Sequence, residues 1–311
     1  MSVIKDFSNY PLAFGGASIS GEGAGYGFGD ISENAALDLL HFAFDLGFRV
    51  FDSAPIYGFG LSEKRMGLAF KKQREKVFLV SKSGVTWAEN KRVDMTNDPK
   101  VTEKMLIQSL KDFDTEYIDL YMIHWPDARV DIRRPLEVLA KAKAEGKIKH
   151  IGLCNTTQED FLKASEVDKI EVVQSQLNLF ESAILKEDLP YFHKHGADFM
   201  SWGTLDKGIL TGRVNRTRKF DATDCRSWAP WWKQMDLESR YKAMDKIQPI
   251  LEKYGHSGLE LALSFNLSHP EVTVALCGGR TLKQLEELDK ALKNPLKPEI
   301  LKEIEQLASM P

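Results

Sequence analysis

No stretch of this 311-residue chain approaches the ~18 uninterrupted apolar residues of a membrane-spanning helix. Its opening, MSVIKDF, carries no apolar signal core. These absences predict a protein that neither crosses a membrane nor is secreted, with the cytoplasm as its expected location. Cysteine is scarce. Cys154, Cys225 and Cys277 are odd in number and form no CxxC pair, which suits reduced thiols rather than disulfides. Neither sign of charge dominates: the formal net charge of −3 excludes the strongly basic surface that nucleic acid or anionic lipid would need. The dinucleotide fingerprint GxGxxG and the nucleophile elbow GxSxG are both missing. No convincing internal repeat and no Pro/Ser-rich linker divides the chain, so residues 1–311 are expected to form one domain.

What is present is ordinary globular composition, 43% hydrophobic and 28% charged residues, enough for a large core. Small-molecule chemistry is the default expectation. Apolar runs recur between amphipathic segments: PLAFGG (11–16), FRVFDSA (48–54), KVFLVSK (76–82), IDLYMIH (118–124), IKHIGLC (148–154), IEVVQSQ (170–176), ADFMSW (197–202) and EVTVALC (271–277). Most lack the alternation of a half-exposed strand and read as buried parallel strands joined by helical crossovers. Between the first two, ENAALDLLHFAFDLG (33–47) has helical spacing and ends on a glycine stop. Eight such strands predict an α/β fold, a single (β/α)8 TIM barrel.

Chemistry on that fold collects at the carboxyl ends of the strands. There the sequence places Asp52 with Tyr57 just beyond, Lys82, His124, Asn155 and Gln174. A phenol is a poor acid at neutral pH, and a neighbouring ammonium favours its ionised form. Lys82 is the candidate ammonium, with Asp52 to keep it charged in a dry site and His124 to bind a substrate oxygen. Such a set offers a proton donor to an oxygen gaining negative charge, as in reduction of a carbonyl. Only His124 and Asp52 have metal-binding character at these ends, too few for a catalytic metal, so none is expected.

Two irregular segments interrupt the alternation, and a third follows the last strand. ASISGEGAGYGFGD (17–30) is glycine-rich. RVNRTRKFDATDCRSWAPWWKQM (213–235) is long for a connection, and its tryptophans Trp228, Trp231 and Trp232 are expected to wall a substrate pocket or pack on one another. In CGGRTLKQLEEL (277–288), Gly278 and Gly279 permit close backbone approach, Thr281 and Gln284 have capping-box spacing, and Arg280 suits a phosphate at the helix start.

The segments FDSAPIYGFGLSEKRMG, LVSKSG, YIDLYMIHWPD, IGLCN, VVQSQLN, SWGTLDKGILTGR and GGRTLKQLEE together resemble the aldo-keto reductase family over nearly the whole chain. The resemblance places the family's catalytic tetrad on Asp52, Tyr57, Lys82 and His124, with Tyr57 as general acid. It implies NADP(H) as cofactor, with NAD(H) the alternative. Asn155 and Gln174 would hold the nicotinamide amide, with Trp202 stacked on the ring. Gly16 and Ala17 would lie near its ribose, Arg213 would approach the pyrophosphate, and Asp52, Gly203, Leu205, Lys207 and Gly208 would also line the cofactor. Gly278, Gly279, Arg280, Gln284 and Glu287 would take the adenosine end. Trp87 and Trp125, with Tyr57, His124 and the three loop tryptophans, would form the substrate side. Cys154 stands where many relatives have serine, Trp202 where tyrosine is commoner, and Leu288 where asparagine often meets the adenine. The implied activity is reduction of an aldehyde or ketone, or oxidation of the matching alcohol or sugar. A cofactor-binding regulatory subunit with little turnover is the alternative.

Overall fold

The computed structural model describes residues 2–21 and 25–308. Among the described residues ten strands are formed: β1 (Leu12–Gly15), β2 (Val50–Asp52), β3 (Phe78–Ser83), β4 (Val85–Trp87), β5 (Val93–Met95), β6 (Ile118–Ile123), β7 (Ile148–Cys154), β8 (Val172–Gln176), β9 (Asp198–Trp202) and β10 (Val272–Cys277). Eight of them close a parallel barrel in the order β1-β10-β9-β8-β7-β6-β3-β2. These are the eight expected strands: most are trimmed by a residue or two, β7 matches its expected range, β2 keeps only three residues and β3 runs one residue further. Helices between them pack outside, as a right-handed crossover requires.

Local chemistry sets the boundaries. The helix Glu33–Leu46 starts where Ser32 accepts a hydrogen bond from the amide of Ala35, and stops at Gly47, whose φ of 111° is left-handed. The remaining pair, β4 and β5, is an antiparallel hairpin outside the barrel, with Trp87 opposite Val93. It was not expected, because two three-residue strands are too short to show a period.

The core has two layers. One lies between barrel and helices. The other fills the barrel itself with Ala13, Val50, Val80, Leu120, Met122, Val172, Met200 and Val274. Ile4 joins that inner cluster. Its segment is held by Asp198, whose Oδ2 accepts from the Ile4 amide (3.0 Å) and the Ser2 hydroxyl (2.9 Å). Among the described residues no helix is long and apolar enough to cross a membrane.

Candidate active site

Parallel register brings the strand ends to one level. Gly15 lies beside Asp52, Asp52 beside Val80, Lys82 beside Met122, and Cys154 beside Gln174. Asp52, Lys82 and Gln174 point inward and are buried. The Lys82 ammonium lies 2.7 and 2.9 Å from the two carboxylate oxygens of Asp52 and 2.8 Å from the carbonyl of Ser53. Those three acceptors match its three protons. Gln174 donates its amide to Asp52 (2.9 Å), and the Cys154 thiol donates to the Gln174 carbonyl (3.3 Å).

Tyr57 sits above this pair. Its ring centre is 5.6 Å from the Lys82 ammonium and 6.1 Å from the His124 imidazole, which meets it edge-on. Burial pushes the phenol up to about 12, and the charge of Lys82 acts the other way. From sequence the ammonium was expected to make proton donation easier; in the structure desolvation outweighs it, and the phenol stays protonated at neutral pH. Lys82 is itself pushed up to about 12, because Asp52 and other neighbours outweigh the opposing burial. His124 is held well below the usual histidine range by burial and by Lys82, so the imidazole is neutral.

Asn155 follows β7 at a φ of 53°, a conformation asparagine tolerates better than most residues. Its amide donates to the His124 carbonyl (3.1 Å) and accepts from the Trp202 indole (3.0 Å), tying three strand ends together. Trp202 remains partly exposed at the mouth. Gly16 opens a short 3-10 turn directly after β1, and a Cβ there would stand 2.6 Å from the Asp52 carbonyl. Ala17, in the same turn, is partly exposed.

Further out, Gly203, Leu205, Lys207 and Gly208 form the turn after β9, with Gly203 at φ 72° and Gly208 at 98°. Arg213 and Glu287 form an ion pair with each other. Thr281 caps the helix Leu282–Leu292 by accepting from the Gln284 amide (3.2 Å), but Gln284 reaches back to the Arg280 amide (2.7 Å) and not to Thr281, so half of the expected capping box is formed. The Arg280 guanidinium bonds the carbonyls of Phe28 and Asp30. Gly278 is packed so that a Cβ would stand 2.9 Å from Ser18, and one on Gly279 would stand 2.8 Å from Leu285.

The side expected to take the substrate is aromatic. Tyr26, Tyr57, Phe59, Trp87 and Trp125 pack around Ala54, Ile56 and Val85. Trp87 lies 5.1 Å from Phe59, centre to centre, and Trp228 lies 5.4 Å from Tyr26. Tyr26 and Phe59 were not singled out from sequence. Each stands among glycines, in GYG and YGFG, and that is the signal that could have marked an aromatic on a close turn. Trp231 lies beside Lys207. Trp232 corrects one expectation: it is 6% exposed and packed edge-on against Phe220 in the core, so it is a packing residue of its loop.

The barrel mouth thus carries a buried Lys–Asp pair, a protonated phenol and a neutral imidazole. The Aldo/keto reductase family model matches residues 11–309. The chain belongs to the aldo/keto reductase family. It is therefore an oxidoreductase by family. It is 31% identical over 280 residues to aldo-keto reductase YhdN of Bacillus subtilis (strain 168), covering 89% of this chain and 84% of that protein. An NADH-specific methylglyoxal reductase of Escherichia coli (strain K12) is 26% identical, with 85% and 84% covered. Among solved structures, the glycerol dehydrogenase AKR11B4 of Gluconobacter oxydans superposes with a TM-score of 0.83 at 32% identity, covering 96% of this chain and 90% of that one. An aldo/keto reductase of Klebsiella pneumoniae in complex with NADP and acetate shares the fold at a TM-score of 0.71 and 21% identity, with 97% and 92% covered.

The residues present suit a nicotinamide dinucleotide. Beside Asp52, Tyr57, Lys82 and His124 stand two amides and a partly exposed indole, Asn155, Gln174 and Trp202. Lys207, beside Trp202 and Trp231, and Arg280, at the start of the helix Leu282–Leu292, add cations.

Proposed function

We propose that the protein reduces an aldehyde or ketone with NADPH, or runs the reverse oxidation of the matching alcohol or sugar. The observation that carries this reading is the Lys82–Asp52 pair lying beneath Tyr57, with neutral His124 against the same ring. Bound NADPH supplies the hydride. Tyr57 gives its phenolic proton to the substrate oxygen as that oxygen gains charge. Lys82 keeps a positive charge below the phenol and favours the phenolate left behind. Asp52 holds that charge in place, and His124 donates a hydrogen bond that orients the carbonyl. Asn155 and Gln174 would hold the carboxamide, Trp202 the ring face, and Lys207 and Arg280 the phosphates.

The aromatic rim of Tyr26, Phe59, Trp87 and Trp125 favours an uncharged carbonyl compound. A glycerol dehydrogenase and a methylglyoxal reductase among the relatives support small, oxygen-rich substrates. The NADH-specific relative makes NADH the comparison to run.

The test is consumption of NADPH and NADH with a panel of small aldehydes and ketones, for the wild type and Tyr57→Phe. The variant is expected to bind NADPH as before and to lose on the order of 10³-fold in turnover. Normal turnover by Tyr57→Phe would remove the phenol from the mechanism. Tight NADPH binding with scarcely any turnover by the wild type would favour the regulatory subunit instead.

A further inference from the structure

The turn after β9 holds an unusual backbone. Asp206, Lys207 and Gly208 have φ of 45°, 54° and 98°, three left-handed residues in succession, two of them not glycine. Residues with a Cβ adopt this conformation only when their surroundings enforce it.

Two arginines from outside the barrel supply that enforcement. Arg240, on the helix Leu237–Tyr254, donates one guanidinium nitrogen to Asp206 Oδ2 at 2.7 Å and the other to Glu181. Asp206 is fully buried. Glu181 belongs to the connection after β8, where Asn178 also donates to the Gly203 carbonyl at 3.0 Å. Arg226 approaches from the tryptophan-rich loop and donates to the Lys207 carbonyl at 2.7 Å. Its fork is fixed by Asp224 at 2.6 and 3.0 Å, and its flat face lies 4.2 Å from the centre of the Phe220 ring. Consecutive residues of the turn are thus gripped by separate guanidiniums, one through a carboxylate and one through a carbonyl.

The result is a fixed place for one ammonium. Lys207 Nζ lies 3.6 Å from Asp206 Oδ1 and within 6.0 Å of the ring centres of both Trp202 and Trp231. Without the two arginines the turn would relax towards ordinary right-handed backbone and carry the ammonium elsewhere.

We propose that Arg240 and Arg226 are positioning residues for dinucleotide binding: they hold the turn Gly203–Gly208 in the shape that receives the cofactor's phosphates. This rests on the reading of that turn as part of the NADPH site. Neither arginine is assigned a contact with the reacting atoms. If loss of one leaves the turn correctly shaped about a tenth of the time, the apparent NADPH dissociation constant rises about tenfold. The chemical step at saturating cofactor is untouched.

The experiment titrates NADPH against the intrinsic tryptophan fluorescence of the wild type, Arg240→Gln, Arg226→Gln and Arg240→Lys, and measures kcat at saturating NADPH. Both glutamine variants are expected to bind about tenfold more weakly with kcat within about twofold of wild type, and Arg240→Lys to recover part of the loss. Glutamine variants that fold normally by circular dichroism and bind NADPH with wild-type affinity would overturn the proposal, as would a fall in kcat with binding unchanged. Should Arg240→Gln not fold, Asp206→Asn is judged by the same criterion, since it keeps the shape and removes the charge that Arg240 meets. A wild-type protein that shows no NADPH binding removes the cofactor reading itself, and this inference with it.

Discussion

Lys82 and Asp52 form a bidentate ion pair inside the barrel, with both side chains almost fully buried. Breaking such a pair leaves one charge without a partner, which costs about 3–5 kcal/mol, whereas removing both charges costs far less. Lys82→Met is therefore expected to lower unfolding stability by that amount. The double variant Lys82→Met with Asp52→Asn should recover much of it while remaining inactive. Chemical denaturation of the four proteins in this cycle measures the coupling. Equal losses for the single and double variants would contradict a paired, desolvated site.

The phenol makes a separate prediction at alkaline pH. Tyr57 rises from an ordinary 10.0 to about 12 in the folded chain, so the folded state holds this proton more tightly than the unfolded state. Its contribution is fully present below pH 10 and is lost as pH climbs through about 12. Lys82, raised from 10.5 to about 12, acts in the same direction. Tyr57→Phe should lose stability less steeply between those limits than the wild type does. Parallel stability curves for the two proteins would contradict the shift.

Neutral His124 predicts what a pH–rate profile lacks. Because burial and Lys82 hold it well below 6.5, its ionisation contributes no inflection near that pH to carbonyl reduction. A step there that disappears in His124→Gln would show a charged imidazole at work.

All three cysteines are buried and free, and burial pushes each thiol up to about 12. The thiolate is the reactive form, so a thiol reagent at neutral pH should label none of them in the native protein and all three after unfolding. Rapid labelling of the native fold would place a cysteine at the surface.

Trp232 and Trp87 separate core from rim. Trp232→Ala removes a buried ring and should cost about 3–5 kcal/mol of stability. Trp87→Ala, at a partly exposed ring packed on Phe59, should cost less stability than Trp232→Ala and alter the KM for the carbonyl substrate. Denaturation midpoints and steady-state kinetics on the two variants decide it.

The barrel was legible because most of its strands are buried on both faces, which writes them into the chain as mainly apolar runs such as LYMI (120–123). Asp52, Lys82 and His124 drew notice because each stands at or near the end of such a run, and Tyr57 because it follows one. Other features leave no local trace. The hairpin carrying Trp87 is too short for a period, and Tyr26 and Phe59 become rim residues only when two glycine-bearing loops meet. Arg226 and Arg240 look like any solvated arginine in their segments. Trp232 stands one position from Trp231, and only the packing of their loop against Phe220 tells the buried ring from the one beside Lys207.

By itself the sequence determined which residues carry ionisable and aromatic chemistry, and through hydrophobic patterning it determined the eight-stranded order that brings the strand ends to one mouth. Only the tertiary structure decided the charge each group bears, because burial and the distance to a partner arise when remote segments meet. Asp52 and Lys82 are thirty positions apart and Tyr57 and His124 further still. Whether that phenol keeps its proton is a property of the space they share and of no residue alone.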